Sequence, residues 1–287
     1  MRLAVSGLLP GDPREITPNV VRGIRELGFT AASWHFGSLD FARDDWLAEA
    51  RAVLAAEGLT LCQLLPPQYE SLVHPEVARR AAGVDALRRV CEVAAQLGAP
   101  NVYVRPGSLN PAGPWTPHPD NHREETRDRL IDSLKQLAPR AEDAGVDLAI
   151  EGHVVSPLDT PSVTRAVIDA VDSPALKFNL DTVNYLPTLD DAYHPESILA
   201  ELERCLGGFI VAAHIKDVTV QDRLVVHIDE TPPGQGYLDQ GEVARVCQHC
   251  APEAPFIIEH LSRDKVPAAR EAVLRQTAAA GIALEAA

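Results

Sequence analysis

Several things are scarce in this chain of 287 residues. Its five cysteines are an odd number and too few for a disulfide framework at this length. Basic residues are outnumbered, 26 Lys and Arg against 41 Asp and Glu, for a formal charge of −15. A field of that sign repels phosphate backbones and anionic lipid, so no nucleic-acid and no membrane partner is expected. No apolar run approaches the roughly 18 to 20 residues that cross a bilayer. The opening segment MRLAVSGLLPGDPRE lacks the long apolar stretch and small-residue cleavage site of a secretion signal. There is no phosphate-cradling GxxxxGK[ST] and no GxSxG nucleophile elbow. With 46% hydrophobic residues the chain has ample material for a core, which excludes intrinsic disorder. A soluble, reduced, cytoplasmic protein is the expectation.

What is present is a regular alternation. Short apolar runs read as strands at Leu3–Gly7, Thr30–Trp34, Leu59–Leu65, Asn101–Arg105, Asp147–Glu151, Leu176–Asp181, Val211–Asp217 and Phe256–Glu259. Most are continuously apolar, as parallel strands covered on both faces are. Between them lie amphipathic helical stretches with breakers at their ends. Thr17-Pro18 opens the first and Gly28 stops it; Pro75 to Leu97 ends at Gly98, and Arg127 to Ala144 at Gly145. Thr160-Pro161, His194-Pro195 and Val266-Pro267 mark further helix starts. Eight strands alternating with about eight helices, in one composition regime, predict an α/β fold, a single (β/α)8 TIM barrel over 1–287. An open doubly wound sheet is the rival.

Three strand-to-helix connections are long: Pro66 to His74, Arg105 to Asn121 with five prolines, and Val218 to Gly236. In a barrel such loops build the active-site face. Four of the later strands end, or nearly end, in metal-competent residues: Glu151, Asp181, His214 and Glu259, at spacings of 30, 33 and 45 residues. In a parallel barrel these positions converge. Three carboxylates and an imidazole in a low-dielectric pocket repel one another unless a divalent cation joins them. An oxygen-rich set with one nitrogen suits Mn2+, Mg2+ or Co2+ better than a structural Zn2+.

Ile-Glu-Gly-His (150–153), Asn-Leu-Asp-Thr (179–182), His-Ile-Lys-Asp (214–217), Gly-Gln-Gly (234–236) and Ile-Ile-Glu-His (257–260) together resemble the xylose isomerase-like barrel superfamily. Within it they look most like the sugar phosphate isomerase/epimerase family, which includes ketose 3-epimerases and inosose dehydratases. The resemblance implies that Glu151, Asp181, His214 and Glu259 bind one divalent metal, usually Mn2+, and that Glu151 and Glu259 are the catalytic acid/base pair. Removal of a proton beside a carbonyl needs an electrophile for the enediolate oxygens, which a metal supplies. One carboxylate takes the proton and the other returns it on the opposite face.

One position departs from the family's pattern. Its epimerases hold the sugar with a His three residues after the strand-six Asp, where this chain has Asn184. Asn can bond a hydroxyl but carries no charge, so a lyase or dehydratase on the same site, acting on a keto-inositol or a keto-glycoside, is the alternative to an isomerase or epimerase of a ketose. Further substrate-binding candidates are His153, Lys216, Trp34, His35 and Arg105, with Trp115 as a cap from the proline-rich loop. Lys216 either steadies an anionic intermediate or pairs with Asp217, and His260 points away from the site as a structural residue. Cys247 and Cys250 have redox or metal spacing but sit at the end of an outer helix without a second pair. No glycine follows the last strand, so a non-phosphorylated sugar or polyol is the expected small-molecule substrate. Two further readings are a three-zinc repair nuclease, which the charge opposes, and a polyol-binding barrel without turnover. Outer helices of such barrels often pair, so a homo-oligomer, dimer or tetramer, is expected.

Overall fold

The computed structural model describes residues 1–286. The eight expected strands form β1 (Leu3–Val5), β2 (Ala31–His35), β3 (Thr60–Leu65), β4 (Asn101–Val104), β5 (Asp147–Ile150), β6 (Leu176–Leu180), β7 (Ile210–Ile215) and, last in the chain, β10 (Phe256–Ile258). They pair in parallel and close in the order β1-β10-β7-β6-β5-β4-β3-β2. Closure excludes the open sheet. The helices are α1 (Pro18–Arg25), α2 (Asp44–Ala56), α3 (Val77–Leu97), α4 (Glu124–Ala144), α5 (Pro161–Val171), α6 (Leu189–Tyr193), α7 (Glu196–Leu206), α8 (Gln240–Cys250) and α9 (Val266–Ala279). Among the described residues no helix is long and apolar enough to cross a membrane.

The local chemistry sets these boundaries. Thr17 and Thr160 accept the backbone N–H of Val20 and Val163, capping α1 and α5 with Pro as the first helical residue. Gly98 and Gly145 end α3 and α4 in the left-handed region, at φ of 76° and 66°.

Strand alternation sorts the side chains into two layers. Outward residues such as Leu3, Trp34, Val104, Ile150, Phe178 and Phe256 join one large core with the helices. Small inward residues, Ala4, Ala31, Cys62, Ala212 and Ile257, form a separate buried cluster that plugs the barrel floor. Polar inward residues lie nearer the carboxyl end. Two register shifts below them matter: β3 gains one residue at Cys62 against β2, and β7 gains one at Val211 against β6. Each bulge re-aims the side chains beyond it.

The segment after β7 departs from expectation. It was expected to be a loop but contains an antiparallel ribbon, β8 (Asp217–Val220) with β9 (Ile228–Thr231), outside the barrel. Val218, Val220 and Ile228 pack on Leu186 and Ala192, so the ribbon buries one face. Asp217, buried at its root, accepts the backbone N–H groups of Val218, Gly234, Gly236 and Leu238. A Cβ on Gly236 would lie 2.0 Å from the Val218 carbonyl oxygen, so the Gly-Gln-Gly turn needs glycine to close around this carboxylate. The anion held there belongs to the chain itself.

Candidate metal and active site

Glu151, Asp181 and Glu259 each lie one residue beyond the ends of β5, β6 and β10, and His214 lies within β7. Alternation turns all four inward, and all four are buried. His214 Nδ1 stands 3.1 Å from Glu151 Oε2 and 3.1 Å from Glu259 Oε2. Donor atoms of Glu151, Asp181 and His214 come within 4.8 Å of one another. Lys216, two residues past His214 and on the same side, joins the cluster: its Nζ lies 2.6 Å from Asp181 Oδ2 and 2.9 Å from Glu259 Oε1. It does not pair with Asp217.

Glu151 is held by neutral donors. Oε1 accepts from the Tyr103 hydroxyl at 2.9 Å and from Asn184 Nδ2 at 2.9 Å, and Oε2 accepts from Asn179 Nδ2 at 2.6 Å. This fixes a direction. An ionised carboxylate only accepts, so Asn179 donates to it and presents Oδ1 to the amide of Gln63 at 3.0 Å. Gln63 therefore presents Oε1 to His214 Nε2, 2.7 Å away. The imidazole carries its hydrogen on Nε2 and turns Nδ1 toward the carboxylates.

That tautomer sets a lone pair against two carboxylate oxygens. The arrangement is repulsive unless a proton or a cation lies among them. Without a metal the proton does so. Burial alone would lower the His214 imidazole, but the charge of Glu259 and the bonds to Glu151 and Glu259 raise it to about 10. Burial opposes the Lys216 ammonium as well, and the charges of Asp181 and Glu259 hold it well above its ordinary value. Glu151 and Glu259 would be raised by burial but are drawn below the usual carboxylate range by His214 and Lys216. Burial takes the Asp181 carboxyl up to about 6 against the pull of Lys216.

The residues fit a divalent ion. Three carboxylates and one ammonium leave two negative charges in excess when the imidazole is neutral, which one divalent ion balances. Asp181 Oδ1 is buried without a hydrogen-bond partner, and Oδ2 meets only the Lys216 ammonium. Such orphaned oxygens are costly unless something else coordinates them.

The other expected residues divide. His35 lies at the mouth, its Nε2 2.9 Å from Ser6 Oγ, and burial lowers its imidazole. Arg105 lines the same cavity, its Nη2 donating to the Pro67 carbonyl at 2.8 Å and its guanidinium 4.7 Å from the Tyr69 ring centre. Trp115 reaches in from the proline-rich loop and meets His153, ring centres 5.8 Å apart. His153, lowered by burial, accepts the Val155 N–H on Nδ1. Trp34 is not at the mouth. It adjoins His35 in β2, so it faces the opposite way, buried against Phe36 with its indole N–H donating to the Pro10 carbonyl at 2.7 Å. Asn184 faces Glu151 and not a free pocket wall. His260 was expected to turn away, but a left-handed backbone (φ 57°) swings it to the rim, 3.0 Å from Glu230 of β9 and 3.7 Å from Glu259.

Cys247 and Cys250 lie far from this site. Cys247 is buried in the main core, with its thiol pushed up by burial to about 12. Cys250 shares the outer face between α7 and α8 with Glu203 and His249.

Gln63, Tyr103 and Asn179 went unrecognised in the sequence. Their signal was a polar residue inside an apolar strand (Leu-Cys-Gln-Leu-Leu, Asn-Val-Tyr-Val, Leu-Lys-Phe-Asn-Leu).

Among solved structures, the chain is similar to a xylose isomerase-like barrel protein from Mycobacterium smegmatis crystallised with magnesium, at 22% identity and TM-score 0.74 over 97% of each chain. It is similar to a D-psicose 3-epimerase from Clostridium cellulolyticum H10, at 16% identity and TM-score 0.73, over 98% of this chain and 99% of that one. It is also similar to a 3-keto-D-glucoside 4-epimerase from E. coli, at 19% identity and TM-score 0.71, over 97% and 99%. At such identities the likeness carries the fold. The model of one family, the xylose isomerase-like TIM barrel, matches residues 21–280, and the chain belongs to that family.

Proposed function

We propose that this protein is a divalent-metal-dependent isomerase or epimerase of a ketose or a related polyhydroxy carbonyl compound. The observation that carries the reading is the placement of Glu151 and Glu259. In the barrel, β5 and β10 stand on either side of the β6–β7 pair, so the two carboxylates approach the centre from opposite sides, with Asp181 and His214 between them. Similarity to the D-psicose and 3-keto-D-glucoside epimerases supports it.

Glu151, Asp181, His214 and Glu259 would hold the ion, Mn2+ in the first instance. Bound there, it would act as a Lewis acid on a carbonyl and its neighbouring hydroxyl. The chain's own residues carry the protons. Glu151, held in place by three neutral donors and kept ionised by His214 and Lys216, is the base for a C–H beside the carbonyl. Glu259, ionised at rest, first takes a proton from the solvent side, where half-exposed His260 stands 3.7 Å away, and returns it on the other face, while the proton taken by Glu151 is lost to solvent. Lys216 balances charge among Asp181, Glu259 and an anionic intermediate. His35, Arg105 and His153 border the sugar.

One observation favours a second reading. Asn184 gives its amide to Glu151 and so is not positioned as a sugar-holding residue. A lyase that begins with the same proton abstraction and then expels a β-substituent fits that arrangement. Product mass separates the two. For the leading reading, assayed at saturating metal, Glu151→Gln should abolish exchange of the substrate's α-proton with deuterated solvent, and Glu259→Gln should abolish inversion while leaving exchange on the Glu151 face. Full exchange in Glu151→Gln, or full inversion in Glu259→Gln, would refute the acid/base assignment.

A further inference from the structure

Arg105 enters the cavity above the metal cluster as a cation with no anion to meet it. It is the first residue past β4 and stands two residues after Tyr103. Strand alternation therefore puts the two on one side and sets Arg105 about 6–7 Å nearer the mouth. Tyr103 gives its hydroxyl to Glu151, the proposed base. Both residues line one cavity of about 300 Å3 together with Glu259 and Trp115, a volume at which ligand sites begin. Arg105 also borders the neighbouring cavity between the loops that follow β3 and β4.

The side chain is held in place yet left unsatisfied. The Tyr69 hydroxyl donates to the Arg105 carbonyl at 2.8 Å and accepts its backbone N–H at 2.7 Å. The Tyr69 ring lies under the guanidinium, its centre 4.7 Å from Cζ, and Nη2 donates to the Pro67 carbonyl at 2.8 Å. Backbone, one face and one corner of the fork are thus fixed, so little rotamer freedom remains to be lost when a ligand arrives. Among the described residues Nε and Nη1 have no acceptor, and no carboxylate oxygen comes within 4.0 Å of the guanidinium. The other charged donors nearby are matched: Arg79 by Glu70 at 2.7 Å, His260 by Glu230 at 3.0 Å and Lys216 by Asp181 at 2.6 Å.

This chemistry selects an anion of one kind. Nη2 carries two hydrogens, one toward Nε and one toward Nη1. Whichever of them Pro67 takes, one complete edge of the fork stays open, and that edge fits the two oxygens of a carboxylate. One unmatched cation balances one negative charge. A phosphate monoester carries about −1.5 to −2 near neutral pH, and no second unmatched cation stands beside Arg105 to receive it.

We propose that the substrate is a keto sugar acid, with its carbonyl at the metal cluster and its terminal carboxylate on the Arg105 fork. This rests on the metal-dependent isomerase reading and adds the substrate's charge and the residue that selects it. The test measures calorimetric binding and kcat/KM on the Mn2+-loaded protein for two matched pairs, D-fructose with D-fructuronate and D-tagatose with D-tagaturonate. In each pair the acid differs only by a carboxylate at C6. D-fructose 6-phosphate is measured beside them. Hydrogen bonds to charged groups change affinity by about 10- to 100-fold, so at least one acid should exceed its neutral partner by about tenfold or more. Arg105→Met keeps the stem over Tyr69 and removes the charge, and the preference should disappear. Part of it should return in Arg105→Lys, which has the charge but not the fork. Circular dichroism and Mn2+ content check that both variants are folded and loaded, and the wild-type ratio is a test by itself. An arginine that only supports the loops would weaken acid and neutral sugar together and leave their ratio alone. Neutral ketoses bound as well as the acids, a preference that survives in Arg105→Met, or the phosphate preferred over both acids would overturn the carboxylate inference while keeping the isomerase reading. No binding of any of these sugars to the metal-loaded protein would remove both.

Discussion

Replacing Gln63 with Leu tests the hydrogen-bond relay under the site. Gln63 is fully buried, with Oε1 2.7 Å from His214 Nε2 and its amide 3.0 Å from Asn179 Oδ1. Leucine is apolar and of similar bulk, so the packing loss is small. What disappears is the acceptor that fixes the imidazole's hydrogen on Nε2. His214 must then keep a buried, unpartnered N–H, at about 1–3 kcal/mol, or move that hydrogen to Nδ1, where it blocks the lone pair facing Glu151 and Glu259. Either outcome weakens a metal ligand. Partners of this kind are worth about 10- to 100-fold in metal affinity, equivalent to about 1.4–2.7 kcal/mol. Gln63→Glu separates the two ends of the relay. It still accepts from His214 but cannot donate to Asn179, so metal affinity should hold or rise while the alignment of Glu151, and with it turnover, is lost. Mn2+ titration of metal-stripped protein by calorimetry, with circular dichroism to check the fold, reads both variants. An unchanged dissociation constant in folded Gln63→Leu would refute the tautomer argument. Equal losses of affinity in the two variants would refute its direction.

Other outcomes follow from the same site. The raised His214 value, about 10 against an ordinary 6.5, makes its stabilising contribution in metal-stripped protein fully present below about pH 6.5 and lost as pH rises through 10. Thermal melts between pH 6.5 and 10 should fall steadily without metal and flatten with saturating Mn2+; parallel curves would show that the ion does not replace that proton. Lys216→Met leaves Asp181 and Glu259 without their ammonium, at about 3–5 kcal/mol for breaking a buried pair. The variant's melting temperature should drop without metal and gain more from Mn2+ than wild type does; an equal gain in both would argue against a shared site. Of the five cysteines only Cys250 is not buried. One thiol should therefore react quickly with an aromatic disulfide reagent in the native state and none in Cys250→Ser, and a second fast thiol would contradict the packing around α8.

The sequence made legible whatever strand alternation alone decides. Glu151, Asp181, His214, Lys216 and Glu259 sit at or just past strand ends in phase with small inward residues such as Ala149, Ala212 and Ile257, and the structure gathers them. The same rule, applied to adjacent residues, separates His35 from Trp34: one strand cannot turn both to the mouth. Alternation gives no warning of a bulge. Counting from inward Cys62, Gln63 falls on the outer face; the extra residue at Cys62 returns it to the interior, where it reaches His214 and Asn179. The left-handed turn at His260 is equally silent, because a single φ change after Glu259 reverses the direction that a continuing strand would impose. The β8–β9 ribbon was hidden for a different reason. Its Val-Thr-Val run alternates with a buried face of one side only, and its partner lies across a polar turn, so it resembles loop when buried parallel strands are the pattern sought. The turn and the ribbon lie at the carboxyl rim, and the bulge at Cys62, on the floor, re-aims Gln63 toward it. There the backbone leaves the period that holds the barrel together, and the side chains that distinguish one enzyme of this fold from another are placed by the departures.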